Sequence, residues 1–511
     1  MGGAEKYAIN RIQISYPIAV LLIALSVVAL RLPTFWITSI DIDAGVFALV
    51  SRELMNGHLP YETVFEHKPI ALYYPAAFFM TILGSSPEVM NFTSAVLVWV
   101  TCLALFLYAV GQGVSRVHSV GLAVCYAIMT CGYQGYASLS EINVNAFMAI
   151  GFTLVGTPER TSLLRKALAG VSFGAAFHSN YMTGFALLGF GIGYIASLFL
   201  SREVLRKYVI DSTVFCTGFL VSSLMIIMPL IIWGDIRSYV DDQSLFLSGY
   251  TANLEPMALI LRVIQFSPVI ALITVLSIAI QSVAGTRSSP PYWIFAATIG
   301  FVVAIYLGGR NFAHYFLFLM PGLSFSLAWA LGKAKGSSAI ATVAVAAFLG
   351  QAVSAYGHAL YTFQSGTTDL IRTAIGQPPR HDVEAKVVQA ARNFAAPGDV
   401  GYVSCATPML YVALDLKPAT RFAFYPHHLN PLHTDAFDST PEEEVQKILA
   451  NQPSIVIFGD FGSCVWVSRD VWRSTKNALE SAGYETVREV EGFSIMTPPE
   501  QSSTRDGGDQ S

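Results

Sequence analysis

A many-spanning, all-α membrane domain followed by an extracytoplasmic α/β domain at the C-terminus is the architecture the sequence predicts. Three observations lead there. Of 511 residues, 53% are apolar and only 13% charged, with a mean hydropathy of +0.52; a soluble domain carries about 25% charged residues. Up to about residue 358 the apolar residues fall into long runs, many near the roughly 20 that cross a bilayer core as helix. Beyond residue 358 the composition turns ordinary and mixed. The net charge of −4 offers no basic footprint, so nucleic acid is not expected as a partner.

The runs give about 11 transmembrane helices, near 14–32, 88–113, 118–135, 142–157, 167–179, 181–200, 209–232, 257–283, 291–308, 314–332 and 337–357. The first run has Lys6 and Arg11 before it, as a signal peptide would. It is long, however, and no A-x-A-like cleavage site follows, so it reads as the first span. The stretch 71–84 is only about 14 residues and contains Pro75, which suits an interfacial or re-entrant helix. Aromatic residues, at 12%, suit membrane-interface belts and sugar-facing surfaces.

Charge orients these spans. With the N-terminus inside, the inner segments hold Lys6, Arg11, Arg116, Arg160, Arg165, Lys166, Arg202, Arg206, Lys207, Arg287, Lys333 and Lys335, twelve in all. The outer loops before residue 358 hold five: Arg31, Arg52, Lys68, Arg237 and Arg310. Cytoplasmic loops collect Lys and Arg, so loop 33–87 and the tail face outward. A basic residue outside runs against that bias and calls for a reason. Lys68 and Arg310 sit at membrane boundaries beside aromatics; lipid-headgroup anchoring and binding of an anionic group are the two readings.

The tail, 359–498, alternates helical and strand patterns. "DVEAKVVQAARNF" reads as an amphipathic helix, "DVGYVSC" as a strand, and "TPEEEVQKILANQ" as a helix capped by Thr440. "PSIVIFGDF" reads as a buried strand, "RDVWRSTKNALESAG" as a helix ending at Gly483, and "YETVREVEGFSIMT" as a hairpin pair. No Gly-rich phosphate loop follows a strand, and no metal cluster is expected in the tail. Cys405 and Cys464 fall in this tail, where an oxidising compartment permits them to pair. The last residues, 499–511, read as disordered.

Four outward segments carry candidate chemistry. In "DAGVFALVSRELMNGHLPYETVFEHKP" a short amphipathic helix runs from about Ala44 to Met55. Asp43 stands just before it, either as N-cap or as a partly desolvated carboxylate whose raised pKa suits a general base; Asp41 can take either role. In "SLSEINVN" Glu141 lies at the mouth of a span, as a polar turn or a second acid. Arg262 lies one turn or so inside a span, snorkelling or facing a polar partner. In "GGRNFAHYFLFLMPG" Arg310 and His314 occupy a helix start, where free N–H groups attract anions and Arg adds a bidentate phosphate contact. A divalent metal at Asp41, Asp43 and Glu141 is open, although no His-rich spacing supports one.

These segments resemble the C-type (GT-C) membrane glycosyltransferases, near the bacterial relatives of protein mannosyltransferases and aminoarabinose transferases. The first segment carries most of the resemblance: an acid, then Gly-Val-Phe, then Gly-x-x-Pro-Tyr, then acid-His-Lys-Pro. The resemblance implies a transmembrane glycosyltransferase domain, 1–358, in which Asp43 is the catalytic base with Asp41 as the alternative. It implies that Lys68 contacts the donor phosphate, that Glu141 belongs to a second acidic motif, and that Arg310 and His314 belong to a donor-side motif. Two departures stand out. Lys68-Pro69 is followed by Ile70 where family members often have a second proline, and "HSNY", His178 to Tyr181, stands where many have a lysine.

The reading that follows is an inverting glycosyltransferase of the bacterial inner membrane, with its site on the periplasmic face. It moves a sugar from a polyprenyl-phosphate donor to an envelope glycolipid such as lipopolysaccharide core or lipid A. The nearest flavour is the rhizobial type that adds galacturonate to lipopolysaccharide, with Asn180, Arg237 or Arg262 to receive the uronate carboxyl. The alternative is a polyprenyl-lipid or glycolipid transporter, which predicts ionisable residues at mid-membrane and inverted repeats.

Overall fold

The computed structural model describes residues 14–499, apart from 133, 157–160, 201–204, 238, 242, 245–290, 309–311, 334–355, 378, 431–438 and 465. The expected spans 257–283 and 337–357, and nearly all of the 499–511 tail, lie outside the described residues. Helices occupy the other expected positions: α1 (Tyr16–Arg31), α4 (Pro87–Gly111), α5 (Arg116–Thr130), α6 (Ser140–Val155), α7 (Leu163–Phe177), α8 (Thr183–Leu200) and α9 (Leu205–Ile232), then Tyr292–Leu307 and the pair Ala313–Phe318 and Leu319–Lys333. Among the described residues four helical segments, Tyr16–Thr34, Pro87–Gly111, Arg206–Ile232 and Ala313–Lys333, are long and apolar enough to cross a membrane, and five more apolar helices are shorter. Between the first two spans come α2 (Ile42–Met55) and α3 (Tyr74–Leu83), and α3 exposes Phe78, Ile82 and Leu83 along one face.

The helix ends sort into two sets. At one end, the Arg31 guanidinium donates to the Gly135 and Tyr136 carbonyls, the Asn91 amide donates to the Thr34, Phe35 and Ile37 carbonyls, and the Ala71 amide donates to the His178 carbonyl. This end carries α2 and the tail. At the other, Arg116 donates to the Ile14 carbonyl and Arg165 to that of Thr153. Described basic residues assigned to the inner loops therefore gather opposite α2.

Close helix contacts rest on small residues. A Cβ at Gly189 or Gly193 on α8 would collide with the Ala296 or Tyr292 carbonyl oxygen of helix Tyr292–Leu307. Without a hydrophobic drive between helices in lipid, such backbone approach supplies the packing. A buried ion pair lies in the bundle, at the end away from α2: Lys166 Nζ is 2.5 Å from Asp211 Oδ2, which also accepts from the Tyr194 hydroxyl at 3.0 Å. It joins α7, α8 and α9, and loss of either partner would strand a buried charge.

The tail folds around a five-stranded sheet in the order β2-β1-β3-β5-β4. The strands are β1 (Val400–Ser404), β2 (Lys417–Pro418), β3 (Ile455–Gly459), β4 (Glu485–Val490) and β5 (Phe493–Thr497). β1 runs parallel to β2 and β3, with Tyr402 opposite Val456; β5 is antiparallel to both β3 and β4. The helix at Pro441–Ala450 begins with a capping box between Thr440 and Glu443.

This sheet does not stand apart from the first loop. One apolar core takes Val46, Phe47, Leu49 and Val50 from α2 together with Val403, Leu410, Tyr411 and Ile457 from the tail. The buried Arg52 guanidinium seals the joint, donating to the Tyr411 and Leu416 carbonyls at 2.7 Å each while pairing with Glu53 at 3.0 Å. Asp382, the N-cap of helix Val383–Ala391, accepts from the Thr38 amide at 2.7 Å and from Ala385 at 2.8 Å. The hydrogen bonds that cross from the first loop to the tail join residues more than 340 apart in sequence, so the joint is a tertiary feature with no local signature.

Candidate functional site

Helix α2 starts at Ile42, two residues earlier than its apolar pattern suggests, and this corrects the reading of Asp43 as N-cap. The cap is Asp41, whose Oδ1 accepts from the Asp43 amide at 2.9 Å. Asp41 has extended backbone (φ −151°, ψ 147°), as a capping residue does. The Asp43 side chain is thereby left out of capping, half-buried in the first turn. Its carboxyl is held well above the ordinary range, first by burial, then by the Asp41 charge, with Glu66 and Glu141 adding and Lys68 opposing. Burial raises Asp41 too, against the Asp43 hydrogen bond. Two residues on, Gly45 is fixed by the tail: a Cβ there would lie 2.5 Å from Thr407 Oγ1 and 2.7 Å from the Met409 amide nitrogen.

Lys68 is carried on a braced loop. Its carbonyl accepts from the Tyr61 hydroxyl at 2.5 Å and the Tyr73 hydroxyl at 3.3 Å, and the Glu66 carbonyl accepts from Gln243 at 3.2 Å. Among the described residues Lys68 forms no ion pair, yet Asp43, Glu66, Glu141 and His314 all feel its charge. The other outer basic residues divide differently. Arg31 is buried and satisfied by Ser94 and two carbonyls, Arg52 clamps the tail, and Arg237 is exposed beside Asp241 at 3.7 Å. Arg310 and Arg262 lie outside the described residues.

Glu141 is 1% exposed at the start of α6. Its motif neighbours are committed to structure: Asn143 donates to the Leu139 carbonyl at 3.3 Å and Asn145 to the Leu317 carbonyl at 2.9 Å. Asn180 donates to the Ser140 hydroxyl at 2.9 Å. His314 lies buried in the short helix Ala313–Phe318 with Nδ1 3.0 Å from Gln134 Oε1. An amide oxygen only accepts, so Nδ1 carries the hydrogen and Nε2 is left with its lone pair. Thus Asp41, Asp43, Lys68, Glu141 and His314, from four separate segments, share one electrostatic neighbourhood.

A metal-competent group also emerges, composed differently from Asp41, Asp43 and Glu141. Glu66, His67 and His427 offer ligand atoms within 4.8 Å of one another, a donor set suited to zinc. Burial alone would raise Glu66, but His67, His427 and Lys68 outweigh it and hold the carboxyl at about 2. Burial and Lys68 push His67 down, against Glu66. Carboxylate and neutral imidazole are the forms a cation needs. Sequence reading missed this set because His427 lies in the tail, in helix Pro426–Leu429.

No family model matches the chain, and no curated protein does. Among solved structures it matches ArnT from Cupriavidus metallidurans bound to undecaprenyl phosphate, with a TM-score of 0.59 at 12% identity, covering 94% of this chain and 98% of that one. The two chains share a fold. ArnT of the same organism in the apo state matches with a TM-score of 0.43 at 13% identity, over 94% and 97% of the two chains.

Proposed function

We propose that the chain is an integral-membrane, inverting glycosyltransferase that uses a polyprenyl-phosphate sugar and an envelope glycolipid acceptor, such as lipopolysaccharide core or lipid A. The observation that carries this reading is the meeting of Asp43, Lys68 and Glu141 in a half-dry neighbourhood under the α/β tail, in a fold shared with a protein solved with undecaprenyl phosphate. Asp43 takes the proton of the acceptor hydroxyl. The freed oxygen attacks the anomeric carbon on the face opposite the phosphate. The carbon–oxygen bond to phosphate breaks, and polyprenyl phosphate departs with its new charge met by Lys68. We assign Glu141 to orienting the acceptor or the base, and His314, Arg310 and Arg262 to contacting the donor. Galacturonate is the sugar we favour, on the resemblance alone.

The site and tail face the periplasm in this proposal. Two features support it: the opposed basic ends of α5 and α7, and a Cys405–Cys464 disulfide with Cα atoms 4.5 Å apart, a bond that persists in oxidising compartments. The test compares envelope glycolipids by mass spectrometry from cells with and without the gene. Loss of a hexuronate, pentose or hexose from one glycolipid is expected and names the sugar. Identical glycolipid profiles, with purified protein unable to release undecaprenyl phosphate from any sugar-bearing form, would reject the reading.

A further inference from the structure

We infer that Trp466 is a stacking platform for a sugar ring of the acceptor, an inference that rests on the transferase reading above. Among the described residues from 383 to 499, Trp466 is the one large apolar side chain left exposed, at 45%. Its backbone is in the left-handed region, with φ 60°. For a bulky residue that is an outlier, and such outliers persist where surrounding structure enforces them and collect at binding sites. The enforcement is visible on both flanks. Cys464 is tied to Cys405 at the end of β1, and Val467 is buried in the core beneath. The loop thus holds the indole at the surface of the tail.

The indole is also aimed. Its ring centroid lies 5.9 Å from that of Phe312, and Phe312 stacks on His314 at 5.3 Å with the planes 20° apart. His314 in turn feels the charge of Lys68. A row of rings therefore runs from the surface of the tail to the neighbourhood of the candidate phosphate cation. A sugar presents C–H faces to an aromatic ring and hydroxyls to water, which matches an exposed indole with an apolar body and one polar tip. A lipid-belt tryptophan would instead stand on the outer surface of a spanning helix, whereas Trp466 belongs to a disulfide-braced loop facing the Ala313–Phe318 helix.

The test uses full-length protein in lipid nanodiscs, as wild type, Trp466→Ala and Trp466→Phe. Two probes are titrated separately: the water-soluble oligosaccharide obtained by deacylating lipid A with its inner core, and undecaprenyl phosphate. Trp466→Ala is expected to weaken oligosaccharide binding about tenfold, with Trp466→Phe recovering part of it and undecaprenyl-phosphate affinity unchanged in both. Equal oligosaccharide affinity in wild type and Trp466→Ala would overturn the platform, including the case where the ring is only a membrane anchor. Parallel loss of both ligands in Trp466→Ala would make the residue structural and also overturn it. A wild type that binds undecaprenyl phosphate but not the oligosaccharide rejects this acceptor subsite alone. A wild type that binds neither rejects the transferase reading itself.

Discussion

Replacing Asp43 with Asn keeps the shape of the side chain and removes its capacity to take a proton. The neighbouring acids are poor substitutes: Asp41 Oδ1 is engaged in capping α2 at 2.9 Å, and Glu141 is held on a different helix. The full contribution of a positioned base should therefore disappear, about 10²–10⁴-fold in kcat, or roughly 3–5 kcal/mol of transition-state stabilisation. Undecaprenyl-phosphate affinity should stay. The acid limb of the pH profile offers a second handle. Asp43 works only when ionised, and its pKa is raised, so kcat falls as pH drops through that raised value. Asp41→Asn preserves the cap, since Asn caps as well as Asp, but removes the Asp41 charge that helps raise Asp43. Its acid limb should move to lower pH. Stability moves the other way from activity. The folded pKa of Asp43 lies above the unfolded one, so the unfolded chain binds fewer protons between them and ionisation costs stability as pH rises. Asp43→Asn should accordingly unfold at a higher Tm at neutral pH. Single-turnover transfer from a purified sugar-linked polyprenyl phosphate measures the rate. An Asp43→Asn enzyme turning over like wild type would remove the base from Asp43.

Three further outcomes are expected. Lys68→Gln should weaken undecaprenyl-phosphate binding about 10- to 100-fold, as loss of a charge-assisted contact does, with Lys68→Arg intermediate; equilibrium binding at two salt concentrations measures it. Arg52→Ala strips hydrogen bonds from the Tyr411 and Leu416 carbonyls and leaves Glu53 only the half-exposed His58 as partner, so it should destabilise the joint by about 2–4 kcal/mol and speed limited proteolysis of the tail; unchanged proteolysis would show that the shared core suffices. Protein purified without chelator should carry close to one zinc per chain by elemental analysis, and His427→Ala should lose it. Equal metal content in both would show that Glu66, His67 and His427 meet for another reason.

The sequence on its own determined what depends on near neighbours. Span lengths, the alternation of basic loops, the Thr440 capping box and the strand patterns of the tail are written in runs of a few to about 20 residues, because hydropathy, caps and turns are local properties. The acids at 41, 43 and 141 and the cation at 68 were visible as charges misplaced in apolar surroundings. Only the tertiary structure decided how each of them is held. Which aspartate caps α2 depends on where the helix starts, and Gly45 depends on the approach of Thr407 from the far end of the chain. His427 and Trp466 carry no local sign of relevance. Their positions follow from the tail burying its apolar face against α2, and the proximity that gives charge, ligand and ring contacts their meaning exists only after that burial.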